Sequence, residues 1–430
     1  MNVKVVAVLA AVALLAAGYT GSKADAAVRT PRAEGTTSAP KTSTTTGVTA
    51  TEIKVSALGY KPFYGDSLIG AQARFKREND AGGVNGRKIV LTDFNDDNQT
   101  AASDVTVARK VVEQDKPFAI VPVMTAAFSA ADYLNQKHVP FLGWGITPDW
   151  CNKNAGFSIT ACPSAVINPS VSDFVPVVRN VFPDGVAKGK AIALIGADGD
   201  SAKIALQGFA DNWLYNGARV VYKNNAIPLP PIVVSDYTPY AQHIMATNGG
   251  KGPDLVMAVS SVTDGIGIAK KLREIGYTKQ ILEFSLYDPR IASQSKNIYN
   301  EISFAPWQQT SGAPVAQMIK DVDAINPTAP KGLALEAGYW SADLFIQLLK
   351  KTGKNLTQER FLQVANHNFT YDNGGGSPPL AFPRSHTEGS TAIAVVFGTG
   401  TTYTITAPLT PMRQIPKRAF QRQLKRRAGK

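Results

Sequence analysis

Twice along this chain a short apolar run is followed by a helical stripe and then by another apolar run, and this alternation restricts the fold more than any other feature. The first series opens with an apolar strand over residues 53–58. In the helix after it, Leu68, Ala71 or Gln72, and Phe75 share one side; Asp66 or Ser67 can cap its start and Gly82-Gly83 supply a left-handed end. Residues 88–91 read as a strand, Val105, Ala108, Val111 and Val112 as a helical stripe, 119–123 as a strand, 130–136 as a helix and 139–143 as a strand. After a long loop the pattern restarts. Phe174, Val177, Val178 and Val181 mark a helix, followed by strand 190–195, helix 201–215, strands 218–222 and 254–259, helix 265–275 and strand 281–284. Each series calls for a parallel sheet with helices on both faces, so the chain is α/β with two doubly wound parallel-sheet lobes. Residues 301–307 and a long helix over 333–350 are too few for a third domain and should return to the first lobe. Residues 391–397 and 401–405, joined by Gly398-Thr399-Gly400, predict a terminal hairpin.

The ends of the chain differ from this body. Lys4, the apolar run Val5 to Ala17 and Ala24-Asp25-Ala26 read as a signal peptide over residues 1–27. The apolar run is shorter than the roughly 20 residues that span a bilayer. No cysteine follows it, so the chain is expected to be exported, to the periplasm, cell surface or medium, without a lipid-anchor Cys. Residues 28–51, rich in Thr, Ser and Pro and including Thr44-Thr45-Thr46, read as a flexible linker. Of the net charge of +12, eight positive residues lie between Pro411 and Lys430, where there is no Asp or Glu. Residues 408–430 therefore read as a disordered basic tail, with attraction to an anionic cell surface as its functional reading. The body is only mildly basic, which argues against a nucleic-acid partner. Cys151 and Cys162 are the two cysteines, and His138, His243, His367 and His386 are scattered. Outside the cytosol such a pair is expected as a disulfide, in preference to a metal site or a catalytic thiol.

The catalytic inventory is nearly empty. Gly59-Tyr60-Lys61-Pro62 lacks the glycine spacing of a phosphate loop, no clustered His or Cys supplies a metal site, and no cofactor motif is present. The acidic stretch 196–201 lacks the closing glutamate of a calcium loop and reads as a strand-to-helix turn. Ser129, Ser201 and Ser285 carry no nucleophile-elbow motif. What stands out is Thr125 after the strand ending at Met124, and Thr147 after Gly143-Trp144-Gly145-Ile146. Ligands of open α/β sheets bind beyond the carboxyl ends of the strands, where a threonine offers both hydroxyl and N–H. The alternative is that each threonine caps its own helix.

Several pieces in order resemble a known family: residues 47–55, Tyr64-Gly65-Asp66, Asn79 to Gly86 before a strand, and Thr92-Asp93-Phe94-Asn95-Asp96-Asp97. Over residues 47–400 the chain resembles the leucine/isoleucine/valine-binding proteins of ABC importers, which have the type I periplasmic-binding fold. The resemblance implies two lobes joined by a multi-crossover hinge: lobe 1 over residues 52–168 with a return near 306–385, and lobe 2 over 169–305 with a return near 386–407. It implies a small amino-acid-like, amide or carboxylate ligand in the cleft, handed to an ABC permease, with no enzymatic step. It carries carboxylate binding to Thr125, Gly145 and Thr147, and an aromatic wall to Tyr64. Trp144 and Trp150 either line the cleft or fill the lobe's edge. There are departures. The second-lobe tyrosine of the family is Ser201 here, its acid falls near Ser285 with Asp288 three residues on, and the loop at Gly59 to Phe63 looks shortened. Asp288 either meets a cationic ligand group or only stabilises its own turn. A ligand sensor on the same fold is the second functional reading, and a secreted hydrolase a distant third.

Overall fold

The computed structural model describes residues 45–163, 168–229, 232–284, 286–309 and 312–428. The stretch read as a signal peptide, most of the linker and Ser285 lie outside the described residues. Residues 45–51, assigned to the linker from sequence, are folded onto lobe 1: Gly47 accepts a hydrogen bond from Lys54 N at 2.7 Å, and Val48 packs against the core.

The first series builds an all-parallel sheet. Glu52–Gly59 (β1) lies between Lys88–Asp96 (β2) and Ala119–Met124 (β3), and Phe141–Gly143 (β4) and Gly156–Ser158 (β5) complete the order β2-β1-β3-β4-β5. Strand β3 is buried at every position, as a strand covered on both faces must be. Lys61–Tyr64 (α1) occupies the stretch that looked like a shortened loop. Asp66–Asp80 (α2) follows, with Gly65 at its N-cap, so neither Asp66 nor Ser67 caps it; Asp66 sits in the first turn. The helix ends as expected at Gly82 and Gly83, with φ of 99° and 75°, where a side chain would be strained. Ala101–Lys110 (α3) and Ala131–Gln136 (α4) cover the other face through Ala108, Ala131 and Leu134.

After the short strand Ser170–Ser172 (β6), the second series runs through nine elements. They are Val175–Val181 (α5), Ala191–Ala197 (β7), Asp200–Tyr215 (α6), Arg219–Ile227 (β8), Thr238–Met245 (α7), Leu255–Val259 (β9), Val262–Glu274 (α8), Gln280–Glu283 (β10) and Tyr299–Ile302 (β11). The five long strands pair in parallel in the order β8-β7-β9-β10-β11. One face carries a core around Val181, Leu206 and Trp213, the other a core around Ile244, Ile268 and Leu272.

The chain then returns to lobe 1 as Ala313–Asp323 (α9), Leu333–Thr352 (α10) and Gln358–Ala365 (α11), with a small hairpin of Phe369–Tyr371 (β12) and Leu380–Phe382 (β13). Helix α10 is buried along most of its length and crosses α2 at backbone contact. A Cβ on Gly70 would lie 2.0 Å from Leu335 O, and one on Gly338 2.0 Å from Ser67 O, so any side chain at either position forces the helices apart. A third crossing brings Ala392–Gly398 (β14) and Tyr403–Pro411 (β15) to the edge of the lobe 2 sheet as an antiparallel pair.

The tail departs from its sequence reading. It is ordered: Gln414–Pro416 (β16) pairs with β6, and Lys417–Ala428 (α12) packs against α6. The physical reason is apolar burial. Ile415 and Phe420 are 6% and 3% exposed, and the Phe420 ring stacks on Tyr215 at 4.6 Å with an interplanar angle of 12°. A further tie is Arg413 to the buried Asp173 at 2.7 Å.

Cys151 and Cys162 form the disulfide, with Cα atoms 5.0 Å apart. Thiol labelling of unreduced, denatured protein is expected to find no free cysteine. Replacing both by serine should cost about 2–3 kcal/mol, the loop-closure entropy returned to the unfolded chain by so short a loop. Two reactive thiols per chain would contradict the pairing.

Candidate functional site

The sequence candidates among the described residues stand in different surroundings. Tyr64, the last residue of α1, is half-buried with its ring 6.0 Å from Trp144, edge to face. Burial pushes its phenol up to about 12, with Asp97 and Tyr60 adding to the effect. Thr125 follows β3 and is buried; its Oγ1 accepts a hydrogen bond from Ala127 N at 3.1 Å, closing its own turn and not capping α4.

Thr147 is equally buried, and its Oγ1 has no partner. It stands at the N-cap of the 3-10 turn Pro148–Trp150 without capping it by its side chain. Gly145 offers no free backbone group, because its N–H donates to Ser158 Oγ at 3.0 Å and its carbonyl accepts from Thr160 Oγ1 at 2.8 Å. Trp150 packs with Phe128 and Phe141 in the core, whereas Trp144 is buried beside Tyr64.

In lobe 2, Ser201 lies in the first turn of α6, half-buried. Asp288 is a turn residue. Its Oδ1 accepts from Arg290 N at 2.8 Å, and its carboxylate holds the Arg290 guanidinium at 2.5 Å. Arg290 also reaches Asp66 of α2 at 2.7 Å, tying the turn after β10 to lobe 1. The charge of Asp288 is thus already met by Arg290. Glu283, the last residue of β10, is wholly buried with both oxygens unpartnered, and burial pushes its carboxyl well above the ordinary range.

Three residues near these strand ends escaped the sequence reading. Arg290 is one; Asp-Pro-Arg at 288–290 was its only signal. Asp97 lies next to the site, its carboxyl pushed up by burial. Its Oδ1 takes the Gln99 N–H at 2.8 Å; the Thr125 hydroxyl steadies the charged form from beside it without reaching hydrogen-bond geometry at Oδ2. Asp104 of α3 fixes the loop after Thr125 by accepting the N–H groups of Ser129 and Ala130, each at 2.7 Å.

Burial pushes the Asp104 carboxyl up to about 7, even though those two N–H groups favour its charged form. The native value lies above the unfolded one of 3.8, so the folded chain binds the extra proton. Its contribution is complete below about pH 4 and is lost as the pH rises through about 7. The stability difference between wild type and Asp104→Asn should therefore change by a few kcal/mol across that window, measured by urea unfolding. A difference that does not vary with pH would refute the assignment.

Among the described residues, no group of three or more His, Cys, Asp and Glu side chains gathers to hold a metal, and no helix is long and apolar enough to cross a membrane. A surface groove of about 580 Å³ lies between α5 and β15.

The family model described as periplasmic binding protein matches residues 21–399. The chain belongs to the periplasmic binding proteins. Solved structures share its fold at low identity. The fatty acid ABC transporter substrate-binding protein from Thermomonospora curvata is 16% identical with a TM-score of 0.69, covering 85% of this chain and 94% of its own. The branched-chain amino acid transporter substrate-binding protein LivJ from Streptococcus pneumoniae, solved with isoleucine, is 16% identical with a TM-score of 0.66, covering 84% and 100%. An ABC transporter solute-binding protein from R. palustris, solved with benzoate, is 13% identical with a TM-score of 0.64, covering 84% and 98%. No curated protein matches by sequence. The family and the neighbours agree with the leucine/isoleucine/valine-binding resemblance and with the two-lobed α/β fold of this periplasmic binding protein.

Proposed function

We propose that this periplasmic binding protein is the extracytoplasmic receptor of an ABC importer, capturing a small solute with a carboxylate or amide head and an apolar body and presenting it to a membrane permease. The observation that carries the reading is Thr147, whose hydroxyl is buried at the end of the lobe 1 sheet without a protein partner. An unmet buried hydroxyl costs about 1–3 kcal/mol, which a ligand oxygen or nitrogen offsets on arrival. Tyr64, Trp144 and Ile146 beside it suit an apolar body. Fatty acids, isoleucine and benzoate, named for the neighbours, all join a carboxylate to such a body. The Arg290 pairing of Asp288 favours an anionic or neutral solute over an α-amino acid. Thr125 and Thr147 are covered in this conformation, so binding requires their covering residues to move, as in a receptor that opens and closes about its hinge. Ser201 is the lobe 2 residue placed to meet the ligand on closure. Binding, without a chemical step, is the whole task.

A thermal-shift screen of benzoate, medium-chain fatty acids, branched-chain amino acids and short amides tests the class, because a bound solute stabilises the folded state. For a solute that raises the melting temperature, Thr147→Val should weaken binding by about 1–3 kcal/mol in calorimetric titration. Thr125→Val should do less, since its oxygen already serves Ala127. Wild-type affinity in Thr147→Val overturns the site, and a panel in which no solute stabilises the protein overturns the ligand class.

A further inference from the structure

Helix α12 holds its cations in a fixed array. Arg418, Arg422, Lys425 and Arg426 are exposed and follow one another at i, i+4, i+7 and i+8, which puts them on one face. Phe420 and Leu424 lie on the other face, turned to lobe 2, where Phe420 stacks on Tyr215 and a Cβ at Gly217 would meet the Arg427 side chain. None of the four cations enters an ion pair among the described residues. From Pro411 to Lys430 there is no acidic residue to balance them. The helix macrodipole favours cations in the last turn, which accounts for Lys425 and Arg426. It does not account for Arg418 and Arg422, whose i, i+4 spacing is repulsive.

We infer that this stripe is a docking surface for a phosphate-bearing anionic polymer outside the membrane. Three of the four cations are arginines, whose planar forks match phosphate oxygens in pairs. A bilayer fits less well, because a helix that lies in a membrane surface needs an exposed apolar face and α12 has turned its own inward. The position also suits tethering. Tyr215, the anchor for Phe420, ends α6, and Ser201 lies in the first turn of the same helix. At 1.5 Å per residue the two are about 21 Å apart. A polymer held on α12 therefore leaves the ligand-binding ends of the strands clear.

The test uses the full chain on immobilised long-chain polyphosphate, with vesicles of phosphatidylglycerol and phosphatidylcholine as a second surface, in a salt series. Replacing Arg418, Arg422, Lys425 and Arg426 by glutamine should weaken polyphosphate binding at low salt by about tenfold or more, with the melting temperature unchanged. A control replaces four exposed lysines of lobe 1, Lys110, Lys137, Lys351 and Lys354, by glutamine. It makes the same change in net charge and should leave binding within about twofold, since exposed charges beyond a Debye length are screened. Equal losses in both variants would reduce the effect to net charge and overturn the stripe. Tighter binding to the vesicles than to polyphosphate would overturn the polymer in favour of a bilayer. Binding to neither surface, or binding insensitive to salt, would overturn the docking surface itself.

Discussion

Truncation after Pro411 is expected to lower the melting temperature by several degrees. It removes β16 and α12, and with them Met412, Ile415 and Phe420, all buried against lobe 2. Burying side chains of this kind contributes about 1.5–3 kcal/mol each, and ordering the backbone of the helix opposes it. A net docking free energy of about 3 kcal/mol would shift the midpoint of a fold this large by about 4 °C. Phe420→Ala should have nearly the same effect as the truncation. A buried Phe→Ala change costs about 3–5 kcal/mol in a closed core, but here the loss stops once α12 undocks, because no further contact remains to be broken. An unchanged melting temperature in the truncated protein would show that the tail does not hold to the lobe.

The misreading of this tail shows what local pattern can and cannot tell. Three prolines, eight cations and few large apolar residues match the composition of a disordered end. The signal against disorder was Phe420 and Leu424 at i, i+4, opposite the cations. Two apolar positions carry little weight until the Tyr215 ring that receives them is known, and that ring lies some 200 residues earlier. The two βα series were legible because strand and helix periods are local properties, and β1, β3, β7 and β9 fall where the apolar runs stand. Helices α7, α9 and α11 were missed; they are 8, 11 and 8 residues long, and only two to four positions of each are buried to mark the core face. Within the candidate site, Thr147 stood out as a candidate because a hydroxyl after a strand end is a local feature. The groups that take up the N–H and carbonyl of Gly145, Ser158 and Thr160, were not legible locally, because they come from a neighbouring strand and the loop after it. The pairing of Asp288 was likewise not legible, because Arg290 folds back on it and spans to Asp66 of another lobe.

Asp343→Ala should destabilise lobe 1 by about 3 kcal/mol or more. Asp343 lies in the middle of α10 and accepts from Arg74 Nε at 2.6 Å, Gln347 Nε2 at 3.0 Å and the Tyr371 hydroxyl at 3.2 Å. Arg74 comes from α2 and is 5% exposed, so without Asp343 its charge stays buried beside Glu78 alone, at 3.3 Å. Glu78 is itself shared with Lys350 at 2.7 Å, which weakens its hold on Arg74. Breaking a buried pair from one side typically costs 3–5 kcal/mol, whereas replacing both partners by apolar side chains of similar size is often close to neutral. The double variant Arg74→Met, Asp343→Leu should therefore be more stable than Asp343→Ala, and much more stable than the sum of Arg74→Met and Asp343→Leu measured singly. Urea midpoints for these variants give the coupling directly. Additive single effects would mean that the guanidinium and carboxylate act independently, and that α2 and α10 are held by the Gly70 and Gly338 backbone contact and its surrounding apolar packing without help from the ion pair.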